Sequence, residues 1–570
     1  MGHRHDHGHE HIHEGAGSDA SPALDMSIPD SELSPSDVSR RGFLRRAGLL
    51  GAGAAASVLA TPAVANAAGL THSHGPQGGG NDKGEFQWLA GDHHIHTQHS
   101  DDGQYRVVDQ AKHAHAYGFD WIVITDHGSN AHAKIGVDIV NPDIRKTRDQ
   151  IKDLLTFQGL EWNIPAAEHA TVIVHPGQHE VDVLKKFEQT YDGSQQPATN
   201  TVAQNEAQAL AGLKFLASQV KARKVDDALF FANHPARKGL DSPHELRSWR
   251  DTAPDIAVGM EGAPGHQAGG IPAPFGKGGN RGSYDNSPAA DSFQPYPLES
   301  YRTWGGFDWM TSTVGGLWDS LLAEGKSWWI TANSDSHVVY LDQSDRGPNS
   351  DFEKNGRYND PVYTGKTLTT AADFWPGQYS RTNVGAKSFS YKSVMDGLRA
   401  GRVWVDHGRL IKSLDVQVRE AGDRRSSSGT PLGGVLLVKR GTSVELTIEI
   451  GLQDMPNWAQ NLPVLNRVDV IRGSITGPVK DKDSFSAPTA KVVKSYEVSQ
   501  KSGTFKVTYA LGRLDTPFYV RLRGTDGNRT QPGLNGAAID PFGPKLDATG
   551  GSDPWGDLWF YANPIFILPR

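Results

Sequence analysis

The sequence contains no cysteine in 570 residues. Disulfides, thiolate zinc sites, iron–sulfur clusters and a cysteine nucleophile are therefore excluded, and any metal must sit on nitrogen and oxygen ligands. Positive charge is not in surplus either: the net charge is -8, which gives no general reason to expect a nucleic-acid partner. No stretch approaches the ~20 consecutive apolar residues of a membrane span. No stable nucleic-acid or membrane partner is expected. What the chain does have is bulk. With 37% hydrophobic residues, 14 Trp, 20 Phe and 15 Tyr, it can core two domains, since single cores stop growing near ~250–300 residues.

Residues 1–67 read as a leader. The histidine tract His3, His5, His7, His9, His11 and His13 has the look of an unstructured tail. Arg40 and Arg41 then precede Phe43 and Leu44, a short Ala/Gly/Leu run, and Ala65-Asn66-Ala67. A charged region, a short apolar region and a small-residue cleavage point make a secretory signal, and the paired arginines resemble a twin-arginine signal. The expectation is a secreted, periplasmic or cell-envelope protein that meets the twin-arginine translocase during export. Residues 68–84 read as a disordered Gly-rich linker.

From 85 to 408, short apolar runs alternate with helical patterns. The runs are FQWLAG, WIVITDHG, LTFQGLEW, ATVIVHPG, ALFFANHP, IAVGMEG and WWITANSDSH. Helical patterns fall at Val107–Tyr117, Ile144–Leu155, Val202–Val220, Pro243–Trp249 behind a Ser242 cap, and about Val314–Glu324. Repeated β–α alternation with unbroken apolar strands predicts an α/β fold with a parallel sheet covered by helices. Seven strands suit a barrel better than an open sheet.

Polar residues gather where these runs end. His94 and His96 follow the first run and share one face by strand alternation, with Asp101 close behind. His127, Glu161, His175, His234, Glu261, then Asp335 and His337 mark the later ones. In parallel α/β barrels the strand C-termini form the active site. A single histidine of this kind is usually structural, but a set converging on one pole points to a metal pocket.

In order along the chain, HIHTQHSDDG, ITDHG, the Glu of GLEWN, ANHPAR and NSDSH resemble the motifs of the polymerase-and-histidinol-phosphatase (PHP) family. The resemblance covers roughly Gln87 to His337 and, more loosely, Tyr391–Val405. It implies a distorted (β/α)7 barrel holding two or three divalent ions and hydrolysing phosphate esters. It also implies the ligands His94, His96, Asp101, His127, Glu161, His234, Asp335 and His337. A ninth, opening the strand after the glutamate, matches His169 best, with His175 as its rival. Two inserts depart from the family pattern, at 263–297 and 341–382, and long loops there would overhang the site.

Three such ions, set against Asp101, Glu161, Asp335 and a bridging hydroxide, leave a charge of about +2, which favours an anionic ligand. The expected substrate is a small-molecule or oligomeric phosphate mono- or diester. Arg237 is placed to clamp a phosphoryl oxygen, and Asp126 to orient a neighbouring ligand by hydrogen bonding. Nitrogen and oxygen ligation permits zinc, manganese or iron. A metallohydrolase of carbon–nitrogen or carboxylic ester bonds, and a secreted metal- or carbohydrate-binding protein, are the alternatives. From 409 to 570 eight short stretches alternate apolar and polar residues, which predicts a smaller antiparallel β-sandwich domain.

The leader yields a test. A metal site spread from His94 to His337 is complete only after most of the barrel has folded, which favours export of a folded chain. Arg40→Lys with Arg41→Lys is expected to block export and leave active, metal-loaded protein in the cytoplasm. Activity and metal content are measured in both compartments, and undiminished export would refute the twin-arginine reading.

Overall fold

The apolar runs of the first part form the strands expected of them. Gln87–Asp92 (β1), Trp121–Ile124 (β2), Leu155–Asn163 (β3), His169–Val174 (β4), Ala228–Ala232 (β5), Ala257–Ala263 (β6) and Trp329–Ala332 (β7) lie side by side in that order. β1, β2 and β3 pair in parallel, as do β5, β6 and β7. Side chains of β2, β3, β5, β6 and β7 are buried almost throughout, as expected for strands covered on both faces, while β1 is buried only in part. The computed structural model describes residues 86–271, 273–279, 281–423, 429–527 and 558–570. The histidine tract, the twin-arginine signal and the linker 68–84 lie outside the described residues.

Helices Val107–Ala116 (α1), Val137–Gln150 (α2), Glu180–Tyr191 (α3), Val202–Lys221 (α4), Pro243–Thr252 (α5) and Leu317–Leu322 (α6) connect the strands. Side-chain caps start two of them: Thr201 accepts from Gln204 N and Ser242 from Glu245 N. The helix expected from Ile144 to Leu155 instead begins at Val137 and ends at Gln150. Its buried face is Val137, Val140, Asn141, Ile144 and Thr147, a helical period that Pro142 interrupts in the sequence. α3 was not expected. It buries Val183, Leu184 and Phe187.

The expected all-parallel sheet is broken at β4, which runs antiparallel to both β3 and β5. The cause is chain length. Only residues 164–168 separate β3 from β4, whereas a parallel crossover needs about a dozen residues. Reversal puts the first residue of β4, His169, at the pole where the other strands end, and sends His175 to the far pole.

The sheet curls so that β7 comes back to β1. One parallel bridge, Ile95–Ser336, joins the segments just past the two strands, with His96 N donating to Ser336 O at 3.1 Å and Asp335 N to His94 O at 3.0 Å. Lower down, side chains substitute for a ladder. Thr382 Oγ1 accepts from Ala332 N at 2.9 Å, and Asn563 Oδ1 accepts from Ile330 N at 3.0 Å.

On its other side β1 pairs antiparallel with Ser380–Ala386 (β8), which pairs with Val403–His407 (β9). Tyr391–Arg399 (α7) links those two strands. All eight stretches read as strands beyond 409 are strands: Ile411–Glu420 (β10), Val435–Val438 (β11), Ser443–Leu452 (β12), Arg467–Ser474 (β13), Lys491–Glu497 (β14), Thr504–Arg513 (β15), Phe518–Thr525 (β16) and Trp559–Pro569 (β17). Seven of them make two facing layers, and the eighth, β11, pairs with β17 in parallel, a departure from the expected all-antiparallel sandwich. β10, β12 and β15 form one, and β14–β13–β16–β17 form the other. Leu414, Val416, Leu446 and Ile448 of the first layer share a core with Val468, Val470, Val520 and Leu522 of the second. The second layer also continues the first part's sheet, because β17 pairs with β9. The two parts thus share one 14-stranded sheet. Among the described residues no helix is long and apolar enough to cross a membrane.

A buried ion pair ties the parts together. Arg521 of β16 donates to Asp319 of α6 from Nε at 2.9 Å and Nη2 at 2.7 Å, and both side chains are fully buried. Tyr519 Oη and Gly315 N donate to the same carboxylate. Removing one partner strands the other charge in the interior. Asp319→Ala is therefore expected to cost ~3–5 kcal/mol, read as a lowered urea midpoint; an unchanged midpoint would remove this pair from the fold's supports.

Candidate metal centre

The pole where the strands end collects side chains from almost every one of them. His94 and His96 follow β1, His127 follows β2, Glu161 lies near the end of β3, and His169 opens the reversed β4. His234 follows β5, while Asp335 and His337 follow β7. Glu161 sits in the middle. Its Oε1 is 3.0 Å from His94 Nε2, 3.2 Å from His169 Nδ1 and 3.3 Å from His234 Nε2. Its Oε2 is 3.2 Å from His96 Nε2 and 3.6 Å from His127 Nε2. Asp335 Oδ1 is a second focus, 3.1 Å from His94 Nε2 and 3.2 Å from His96 Nε2.

At one of the expected positions the geometry differs from the sequence-based assignment, and at another it separates two candidates. Asp101, expected as a ligand, is exposed and turned outward. Asp102 takes its place, with Oδ2 3.1 Å from His337 Nε2 and Oδ1 held at 2.5 Å by the Ser100 hydroxyl. Adjacent residues point to different sides of the chain, so one step decides which carboxylate enters. Between the two candidates for the ninth ligand, His169 is in the cluster. His175 bonds Pro176 O and lies 3.7 Å from Asp226, away from it.

The rings are aimed. His94 Nδ1 meets Glu261 Oε1 at 2.8 Å, His96 Nδ1 meets Ser100 Oγ at 3.1 Å, His127 Nδ1 meets Gly128 O at 3.2 Å, and His337 Nδ1 meets Asp335 O at 2.8 Å. In each case Nε2 is left facing the cluster, the arrangement that metal-binding imidazoles adopt. His94 and His96 bring these nitrogens within 3.1 Å of one another. Asp335 Oδ1, though buried, accepts no well-directed hydrogen bond.

Overlapping trios with ligand atoms within 4.8 Å of one another result: His94–His234–Asp335, His94–His96–Glu161, His96–Asp102–His337 and His127–Glu161–His169. This donor set of imidazole nitrogens and carboxylate oxygens fits divalent metal ions. Backbone strain marks the same place. His234 (φ 29°) and Asp335 (φ 48°) are both left-handed, at a cost of order 1–3 kcal/mol each.

Charge is shared out within the cluster. Burial opposes a charged His94, but Asp335, Glu161 and Glu261 outweigh it and hold its pKa well above the ordinary value. Burial likewise opposes an ionised Glu161, yet His94, His169 and His127 keep its carboxyl well below the usual range. Burial, with Arg237 nearby, lowers His234 to about 4. Burial also lowers His93 to about 4. That ring lies beneath the ligands, between Thr171 Oγ1 at 3.1 Å and Thr331 Oγ1 at 2.8 Å.

Asp126, expected to orient a ligand, acts on the ligand loop rather than on a ring. Its carboxylate accepts from Thr97 N at 2.6 Å and Thr97 Oγ1 at 2.9 Å, pinning the residue after His96. Arg237 lines the pocket over the cluster, a space of about 260 Å³ also lined by Asp102, His127, Glu161, His169, His234, His266, Asp335 and His337. It donates to Glu168 Oε2 at 2.9 Å, and burial of Glu168 is overridden by Arg237 and His234, which bring that carboxyl down to about 2. Sequence reasoning missed Glu168, which only its place beside His169 could have signalled. It also missed His266 and Asp373, for which the sequence carries no signal.

Metal content measured on single variants checks the assignment. His94→Ala, Asp102→Asn, His169→Ala, Asp335→Ala and His337→Ala are each expected to lower the bound metal per chain, while Asp101→Asn and His175→Ala leave it unchanged. Loss with Asp101→Asn and retention with Asp102→Asn would reverse the reading of that loop.

Residues 92–198 match the family model described as PHP domain. No curated protein matches the chain. Among solved structures, the chain is similar to a two-domain protein from Bacteroides vulgatus described as containing a predicted PHP-like metal-dependent phosphoesterase. The identity is 15%, with 77% of this chain and 90% of that one covered and a TM-score of 0.31. The PHP-domain match therefore spans the segment that supplies His94, His96, Asp102, His127, Glu161 and His169 to the cluster.

Proposed function

We propose that this protein is a metal-dependent phosphoesterase acting on phosphate mono- or diesters, with two or three divalent ions, zinc, manganese or iron, held by His94, His96, Asp102, His127, Glu161, His169, His234, Asp335 and His337. The observation that carries this reading is the convergence of these side chains around Glu161 beneath a pocket with Arg237 on its wall. The curled sheet is read as the distorted (β/α)7 barrel. When bound, the ions supply an acidified water at neutral pH and a positive field for phosphoryl oxygens.

The chain's own residues do the rest. Glu261, Ser100, Gly128 O and Asp335 O fix ring orientation, so the ligands need little rearrangement on loading. The cluster is largely buried, which lowers the local dielectric and strengthens each electrostatic contact with an anion. Arg237, braced by Glu168, presents its guanidinium to a phosphoryl oxygen. Export through the twin-arginine route is part of the same proposal, supported by Arg40, Arg41 and Ala65-Asn66-Ala67.

The test is release of phosphate or a phosphomonoester from activated aryl mono- and diesters. Activity is expected to disappear with chelator and return with metal. Arg237→Ala is expected to keep its metal and weaken inhibition by free phosphate by about 1.5–3 kcal/mol, roughly ten- to hundred-fold. A fully metallated protein inert to both ester classes, yet active on carboxylic esters or amides, would overturn the proposal.

A further inference from the structure

The two inserts were expected to overhang the site as loops. Instead they meet each other at the metal centre, through residues that neither the strand pattern nor the family match accounts for. His266 belongs to the first insert and Asp373 to the second. Asp373 is buried, and its Oδ1 lies 2.5 Å from His266 Nδ1. Its Oδ2 accepts from two successive backbone groups of the ligand segment, His337 N at 2.7 Å and Val338 N at 3.0 Å. The other nitrogen of His266, Nε2, lies 2.9 Å from Asp335 Oδ2.

The backbones are pressed together as well. A Cβ on Gly265 would fall 2.1 Å from Asp335 Cβ and 2.2 Å from Ser334 O, so only glycine lets the first insert lie this close. Gly269 N donates to Ala372 O at 3.0 Å, joining the inserts directly, and Tyr340 N donates to Asp373 O at 2.9 Å. Both His266 (φ 54°) and Asp335 (φ 48°) hold left-handed conformations across this contact. Residues held in such conformations persist where the surroundings fix them.

The contact selects an oxygen. Asp335 Oδ2 is occupied by His266, which leaves Oδ1 aimed at His94 and His96 without a hydrogen bond of its own. At the same time the paired N–H groups on Asp373 fix the backbone that carries His337. We infer that His266 and Asp373 are positioning residues of the metal centre, clamping the Asp335–His337 limb from outside the ligand set. This rests on the metal-centre reading. On this view the inserts are structural parts of the site, and ligand geometry at one limb depends on segments that lie far apart in sequence.

The experiment is zinc titration of the mature protein against a competing chelator, with zinc stoichiometry counted by elemental analysis. Asp373→Asn and His266→Phe are compared with Glu353→Gln, an exposed position in the same excursion. His266→Phe retains a ring where His266 stacks on His337, at a centroid distance of 5.3 Å, while removing both nitrogen contacts. Both site variants are expected to bind zinc roughly ten- to hundred-fold more weakly, the usual effect of losing an outer partner. The loss should fall on the trios containing Asp335 and His337, with the His127–Glu161–His169 trio still loaded. Glu353→Gln should match the parent.

Far-ultraviolet circular dichroism and the urea midpoint of the metal-free chain separate this from unfolding. If Asp373→Asn fails to fold, His266→Phe decides. Unchanged zinc affinity in folded His266→Phe, or uniform loss from every trio, would overturn the inference. A parent protein that binds no zinc would instead overturn the metal-centre reading beneath it.

Discussion

A single buried carboxylate, Glu161, organises this molecule's chemistry. Five imidazoles from four separate segments approach it, at 3.0 to 3.6 Å, and Asn233 Nδ2 donates to it at 3.1 Å. Burying an ionised carboxylate costs several kcal/mol unless its lone pairs are met. Each of the surrounding segments must therefore end at the right height, and that requirement reaches back into the strands. A one-residue slip in any of them would turn its ligand away. The sheet is the means by which the chain holds distant residues to this tolerance.

Strand direction matters less than strand end. β4 runs against its neighbours, yet it serves the cluster because its ligand is its first residue rather than one beyond its last. The pole is defined by which ends meet there, and a hairpin supplies one of them as effectively as a crossover supplies another. This also explains why Glu161 and His169, eight residues apart, face each other at 3.2 Å. They sit on paired strands, where Glu161 is opposite Thr171 and Asn163 is opposite His169.

Much of this was legible in the chain. Apolar runs with polar ends revealed β1 to β7 and most of the side chains of the cluster, because strand burial and polar strand ends are both written locally. The Asp101–Asp102 choice was not, since identical neighbours differ only in which one the Ser100 hydroxyl and His337 capture. The reversal of β4 was present in the short connector 164–168, but periodicity alone does not report direction. His266 and Asp373 carried no signal at all. They lie in irregular segments 107 positions apart in sequence, and only the folded chain brings them to 2.5 Å. Pairing of β17 with β9 was hidden for the same reason: pattern identifies a strand, not its partner.

That last pairing bears on how the protein comes into being. Trp559–Pro569 leaves the ribosome after every other element of the described fold, yet it is wedged between Val403–His407 and Phe518–Thr525, in the interior of the sheet rather than at its rim. Until it arrives, two neighbours that have already been made face one another across a missing rung, each with unpaired backbone groups. Joining of the two parts is thereby coupled to the arrival of this strand. A chain lacking this strand would keep the strands that carry the His/Asp/Glu cluster but present an open seam between Val403–His407 and Phe518–Thr525, the kind of unpaired edge that invites pairing with another chain.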